Sequence, residues 1–148
     1  MIEIKPIRAE DRSYWTPLWR AYLAYYETEL ADEIYATAFA RLTDPEVDVY
    51  HGFIAWDGIR PLGLVHYIFH MHGWKIEPVC YLQDLYTVPD TRGKGVGRAL
   101  IEAVYGAADA MGAPSVYWMT QEFNADGRRL YDKVGTLTPF IKYQRPSS

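Results

Sequence analysis

Along the chain the spacing of apolar positions alternates between the two-residue period of a strand and the 3.6-residue period of a helix. Ile2 and Ile4, with Ile7 beyond Pro6, alternate with polar residues and predict a short opening strand. From Asp11 or Ser13 as cap, Trp15, Leu18, Trp19, Tyr22, Tyr25 and Tyr26 recur at three- and four-residue spacing and predict a helix with an aromatic face. Ala31 to Leu42 repeats the helical period through Ile34, Tyr35, Ala38 and Phe39 until Thr43-Asp44-Pro45 stops it. Strands are then expected at Val49–Trp56 and Leu62–Met71, joined by Asp57-Gly58-Ile59-Arg60-Pro61, whose Asp-Gly pair carries hairpin chemistry. After a loop from Gly73 to Pro78, Val79–Val88 reads as a long strand with Leu82, Asp84 and Tyr86 on one face and Tyr81, Gln83 and Leu85 on the other. Val96, Leu100, Ile101, Val104 and Ala108 form a core-facing helical stripe that ends at Met111-Gly112-Ala113-Pro114. A strand at Ser115–Thr120, a helix begun by Asn124 and ended by Gly135, and a closing strand at Thr138–Tyr143 complete the expectation.

The crossover from Val79–Val88 through a helix to Ser115–Thr120 makes those two strands parallel, whereas the hairpin pair is antiparallel. The expected fold class is therefore α+β in α/β/α layers: a mixed sheet with helices on both faces, in one domain over residues 1–148. Composition adjusts this picture little. Hydrophobic residues at 49% and aromatics at 16% are ample for one core. No stretch has the apolar length of a membrane span, and Met1–Lys5 does not open like a signal peptide, so a cytoplasmic protein without membrane partners is expected. The one cysteine, Cys80, lies in the apolar run Val79-Cys80-Tyr81-Leu82 and is assigned to packing. A net charge of −4 without basic runs argues against a nucleic-acid partner.

The chemistry is concentrated in Val88-Pro89-Asp90-Thr91-Arg92-Gly93-Lys94-Gly95-Val96-Gly97-Arg98. Three glycines at alternate positions bare the backbone where a strand turns into a helix, and Arg92, Lys94 and Arg98 set positive charge beside the same amides. A helix N-terminus adds unpaired N–H groups and a partial positive charge, so the segment is a phosphate cradle by composition. It is not a P-loop, because Gly95 is followed by Val96 and no hydroxyl stands ready for magnesium; nor is it a dinucleotide fingerprint, because Arg98 takes the place of the third glycine. His66, His70 and His72 share a strand face, but no cysteine or carboxylate completes a ligand set, and these histidines are read as solvent-facing or pocket-edge, with no metal. Asp84 is a carboxylate on an apolar face, open to a structural or a catalytic role. Tyr25, Tyr26, Glu27 and Glu29 gather where the first helix ends and would suit either core packing or a pocket that holds a cation on ring faces and carboxylates.

Arg92-Gly93-Lys94-Gly95-Val96-Gly97 resembles the pyrophosphate signature of the GNAT superfamily of acetyl-CoA-dependent N-acetyltransferases, and Asn124, Leu130-Tyr131 and Lys133 resemble its second motif. Tyr81-Leu82-Gln83-Asp84-Leu85-Tyr86, Trp118-Met119-Thr120 and Phe140-Ile141-Lys142-Tyr143 look like the branch with the small yeast histone and D-amino-acid acetyltransferases. The resemblance implies a mostly antiparallel twisted sheet whose central parallel pair splays apart. It implies acetyl-CoA held by the backbone of Tyr86, Thr87 and Val88, by Arg92 to Arg98, and by Asn124, Gly127 and Lys133, with Tyr131 facing the thioester sulfur. Asp84 is then the first candidate for the base that deprotonates a primary amine, with Glu27 and His66 in reserve, and the Tyr86 amide is the expected oxyanion donor. Two departures stand out: Gly127 replaces the family's usual alanine, and Gly135-Thr136 replaces its Gly-Phe. The function implied is acetylation of a small amine such as a polyamine or amino acid, against acetylation of protein lysines or N-termini and against a non-catalytic acyl-CoA sensor. The resemblance also extends to dimerisation.

Overall fold

In the computed structural model, which describes residues 1–147, five strands form one sheet in chain order: β1 (Glu3–Pro6), β2 (Tyr50–Asp57), β3 (Arg60–His70), β4 (Val79–Thr87) and β5 (Val116–Tyr117). The first three junctions are antiparallel and β4–β5 is parallel, as the crossover requires. Helices α1 (Arg12–Tyr25) and α2 (Asp32–Thr43) cover one face, and α3 (Val96–Ala110) and α4 (Ala125–Val134) the other. Hence the layered mixed sheet expected from the apolar pattern is the observed fold.

The two faces have cores of different character. Beneath α1 and α2 lie Trp15, Trp19, Tyr35, Phe39, Ile54 and Leu64, with the Trp15 and Trp19 rings stacked 5.2 Å apart. Opposite them, Val96, Leu100, Ile101, Val104 and Ala108, the stripe expected of α3, pack on Val65, Tyr67, Cys80 and Leu82. Large rings bury much area per residue and fix their neighbours' orientation, whereas the branched aliphatics fill space evenly. Asp11 caps α1 in an indirect way: its carboxylate accepts from the Arg8 amide at 2.8 Å and holds the preceding tight turn, with no side-chain bond to the helix itself.

Expectations about strands fail in two places, since alternation assigns a face only while the ladder is regular and makes a strand only where a ladder exists. In β4, His66 stands opposite Asp84 and Tyr67 opposite Leu82, so Gln83 is an extra residue, a β-bulge. The bulge exchanges the faces: Leu82 and Leu85 join the α3 side, while Asp84 and Tyr86 turn to the α1 side. Leu82 therefore does not share a face with Asp84 and Tyr86. At the other end, Thr138–Tyr143 forms no strand, and β5 is two residues rather than six. An alternating segment needs a ladder partner to become a strand, and residues 136–147 find none; Leu137, Phe140, Ile141 and Tyr143 are left 72–90% exposed.

Burial pushes the Tyr67 hydroxyl up to about 12 and the Cys80 thiol up to about 11, from ordinary values of 10.0 and 9.0. Both groups bind their protons more tightly folded than unfolded, so their contribution to stability is intact below the unfolded values and drains away as pH rises toward the folded ones. The melting temperature is expected to hold steady from about pH 7 to about pH 9 and then fall through about pH 11. Thermal melts across that range check this, and a flat profile to the alkaline end would contradict it.

Candidate active site

The glycine segment forms an open cup at the N-terminus of α3. After a single tight turn at Pro89–Thr91, held by the Thr91 hydroxyl on the Val88 carbonyl at 2.6 Å, the chain takes positive φ at Gly93 (78°) and Gly95 (82°) before the helix begins. Only glycine adopts that pair of angles without strain, which is why these two positions are fixed in type. Among the described residues the amides of Gly93, Gly95, Val96, Gly97 and Arg98 meet no backbone acceptor; the first helical bond runs from Ala99 N–H to the Gly95 carbonyl at 3.0 Å. A Cβ built at Gly93 or Gly95 touches nothing within 4 Å, so the space in front of the amides is free. Arg92 reaches Asp126 at 3.7 Å and Arg98 reaches Glu102 at 2.9 Å, whereas Lys94 is exposed and outside every ion pair of the described residues. Free donors and the helix dipole thus face open space at the start of α3, with Lys94 in the same turn.

Beside the cup the sheet opens. β4 and β5 pair only through Cys80–Val116 and Tyr81–Tyr117, and beyond these the strands part. Val88 N–H donates to the Leu62 carbonyl at 2.8 Å, and Leu64 lies opposite Tyr86. This phase turns the Tyr86 amide into β3 and leaves those of Leu85 and Thr87 facing the gap. The Tyr86 amide, expected to be an oxyanion donor, is therefore not free to be one. Tyr22, Tyr26, Gln83, Leu85, Trp118 and Tyr131 line a cleft in the gap, which Ile101 of α3 also borders.

Below the cleft lies a buried polar chain. Trp15 Nε1–H donates to His66 Nε2 at 3.0 Å, and His66 Nδ1 meets Asp84 Oδ2 at 2.8 Å. An indole can only donate, so His66 Nε2 must accept and Nδ1 is the nitrogen that donates to Asp84. Trp19 Nε1–H donates to the same Oδ2 at 3.3 Å, on the turn of α1 that follows Trp15. The Tyr22 hydroxyl, one turn further, lies beside this carboxylate; burial first, and then the charge of Asp84, push its pKa far up. A carboxylate only 5% exposed is in this way met by donors from α1 and β3 together.

Several expected site residues gather here and others do not. Tyr131 and Tyr26 line the cleft, and Tyr131 is pushed up to about 12 by burial, then by the nearby Tyr26 and Tyr25 hydroxyls. Glu27 is exposed beyond the end of α1 at φ 54°, and Lys133 is exposed on α4. His66 corrects the reading of a pocket-edge histidine: it is fully buried, both ring nitrogens are engaged, and it does not reach the cleft. His70 instead meets the Tyr117 hydroxyl at 2.8 Å, and His72 accepts from the Trp74 amide at 3.0 Å. Asn124 caps α4 as expected, with Oδ1 accepting from Gly127 N–H at 3.1 Å and Nδ2 donating to Thr120 at 3.0 Å. The glycine at 127 has a local cause, since a Cβ there would lie 2.5 Å from Asn124 Nδ2. Tyr22, expected only as part of the aromatic face of the first helix, also lines the cleft; its signal is the four-residue step to Tyr26, whose ring sits 5.2 Å away.

Comparison with known proteins agrees with this geometry. The model of the acetyltransferase (GNAT) family matches residues 7–136. The D-amino-acid N-acetyltransferase HPA3 of Saccharomyces cerevisiae is 40% identical over 146 residues, covering 97% of this chain and 90% of its own. A thialysine N-ε-acetyltransferase of Caenorhabditis elegans is 29% identical over 112 residues, 76% of this chain and 69% of that protein. In fold the chain is similar to the solved structure of AAC(6')-Iy in complex with a CoA-linked bisubstrate analogue, with a TM-score of 0.86, 17% identity, and coverage of 100% of this chain and 99% of that one. An anion cup at a helix start, a parted strand pair beside it and a tyrosine in the wall between are thus set in a family frame, and the chain belongs to the GNAT family of acetyl-CoA-dependent N-acetyltransferases.

Proposed function

We propose that the acceptor is a primary amine of a small molecule, an amino acid, polyamine or similar, and that the cleft between β4 and β5 is where it meets the acetyl group. The observation that carries this reading is the position of Tyr131 in a narrow cleft with Tyr22, Tyr26 and Trp118, a wall suited to one slender ammonium rather than to a broad peptide. Relatives named for D-amino-acid and thialysine substrates support it.

The residues present fit acetyl-CoA. The free amides of Gly93 to Arg98, with Lys94, would take its pyrophosphate, and the open edge of β4 from Leu85 to Val88 would take its pantetheine arm as an added strand. When bound, it supplies an acyl carbon activated by a thioester. The chain supplies the rest. Of the two free amides, Leu85 and Thr87, one aims its donor at the carbonyl oxygen where negative charge grows while the other pairs with the pantetheine arm, and Asp84 is the sink for the amine's proton. Tyr131 holds a hydrogen bond at the departing sulfur. With its pKa at about 12, against about 8.5 for a thiol, outright proton transfer is uphill by roughly 5 kcal/mol, so it works by donating a hydrogen bond rather than by full ionisation. A cytoplasmic homodimer completes the proposal: Cys80 is buried and unpaired, and the exposed apolar residues of 137–143 would be covered by a second copy.

A thiol-release assay with acetyl-CoA against free amino acids, polyamines and a basic peptide tests the acceptor class; turnover on the peptide alone would overturn it. Tyr131→Phe is expected to lower kcat about 10- to 1000-fold with little change in acetyl-CoA affinity, and an unchanged kcat removes Tyr131 from the chemistry. Gly95→Val should abolish acetyl-CoA binding in a calorimetric titration, because its side chain would stand in the cup. At φ 82° the valine also strains the turn by about 1–3 kcal/mol, so the variant melts lower but still folds. Normal affinity in that variant would refute the cup.

A further inference from the structure

Asp84 has a connection problem. It is 5% exposed and does not line the cleft, because the Gln83 bulge turns it toward α1. His66 and Trp19 both bond its Oδ2, which leaves Oδ1 for a further donor. The titratable groups near it are His66 of β3, Tyr22 of α1, Tyr26 just beyond that helix, Tyr50 of β2 and Tyr81 of β4. Of these, Tyr22 stands on α1 one turn after Trp19, which itself bonds Asp84, and it lines the cleft that holds Tyr131, with its ring 5.2 Å from that of Tyr26.

We infer that Tyr22 is a catalytic residue: its hydroxyl relays the proton of the acceptor ammonium to Asp84, which the substrate does not touch. This rests on the acetyltransferase reading above. The ammonium hands one proton to the Tyr22 oxygen as Tyr22 hands its own to Asp84, so the phenol passes through no free phenolate. The neutral nitrogen then forms the C–N bond, the C–S bond breaks, and the second nitrogen proton leaves with the sulfur as thiol. One proton remains on Asp84 and returns to solvent by the same path. His66, locked by Trp15, and Trp19 are positioning residues that hold Asp84 beneath Tyr22.

The test compares wild type with Tyr22→Phe, which keeps the ring and removes the relay. In the variant, kcat/KM for the amine at about pH 7 should fall about 10- to 100-fold, and the deficit should shrink as pH approaches the amine's own value near 10, where the acceptor arrives already neutral. Acetyl-CoA affinity by calorimetry should stay at the wild-type value, and the recovery of rate at high pH is a readout that a merely structural tyrosine would not give. Should the fold suffer, Tyr22→His, which can still relay, is expected to recover part of the neutral-pH rate. Full activity in Tyr22→Phe, or a deficit equal at every pH, overturns the relay while the acetyltransferase reading stands. A wild type that releases no thiol with any amine overturns both.

Discussion

The parting of β4 from β5 after two paired residues governs the rest of the molecule. A backbone amide in a sheet interior has a partner by default, and one that loses it must find another or face water. The amides of Leu85 and Thr87 are in that position, turned away from β3 by the ladder phase and out of reach of β5. Such an edge is a hazard on a protein's outside, where it recruits other strands. Here it is recessed between α3, α4 and the end of α1, so what can pair with it is limited to something as thin as one extended chain. The same opening sets the cup at the start of α3 in line with the gap, since β4 runs directly into Pro89 and the glycines.

A second constraint acts at right angles to the sheet. The bulge at Gln83 adds one residue to β4 and so exchanges which side chains face each helix layer. Without it, Asp84 would lie among aliphatic side chains beneath α3 with no donor to meet it. With it, the carboxylate is met by the Trp19 indole and the His66 imidazole, each giving one hydrogen, with the Tyr22 phenol beside them. The unusual aromatic content of α1 follows: Trp15, Trp19 and Tyr22 lie on successive turns of one helix face, and each places a donor toward His66 or Asp84 while its ring fills the core. Packing and polar satisfaction are thus done by the same atoms.

Much of this was legible from the chain. Periodicity locates every α-helix and four of the five strands to within a few residues, and the glycine spacing of 93, 95 and 97 marks the turn of free amides that opens α3. Misreadings came where one residue's effect depends on another far away. His66 reads from the chain as a solvent-facing or pocket-edge group because it shares a strand face with His70 and His72, yet it is buried against Trp15, fifty-one residues earlier. The phase that turns the Tyr86 amide inward is set by Leu62 and Leu64 across the ladder, and no inspection of β4 alone contains it. Residues 138–143 alternate convincingly but have no neighbour to complete a ladder, so pattern without partner produced no strand.

Gly127 carries a consequence for how this chain can change. Its amide serves the Asn124 cap, and its missing methyl is the room in which the Asn124 carboxamide sits. The two positions are therefore one unit of variation: an alanine introduced at 127 alone displaces the cap, whereas the same alanine beside a different residue at 124 meets a different neighbourhood. Because the family's usual motif carries an asparagine and an alanine at these two places, the asparagine side chain there must lie differently from that of Asn124, and it is the rotamer of the cap, not its identity, that the residue at 127 selects.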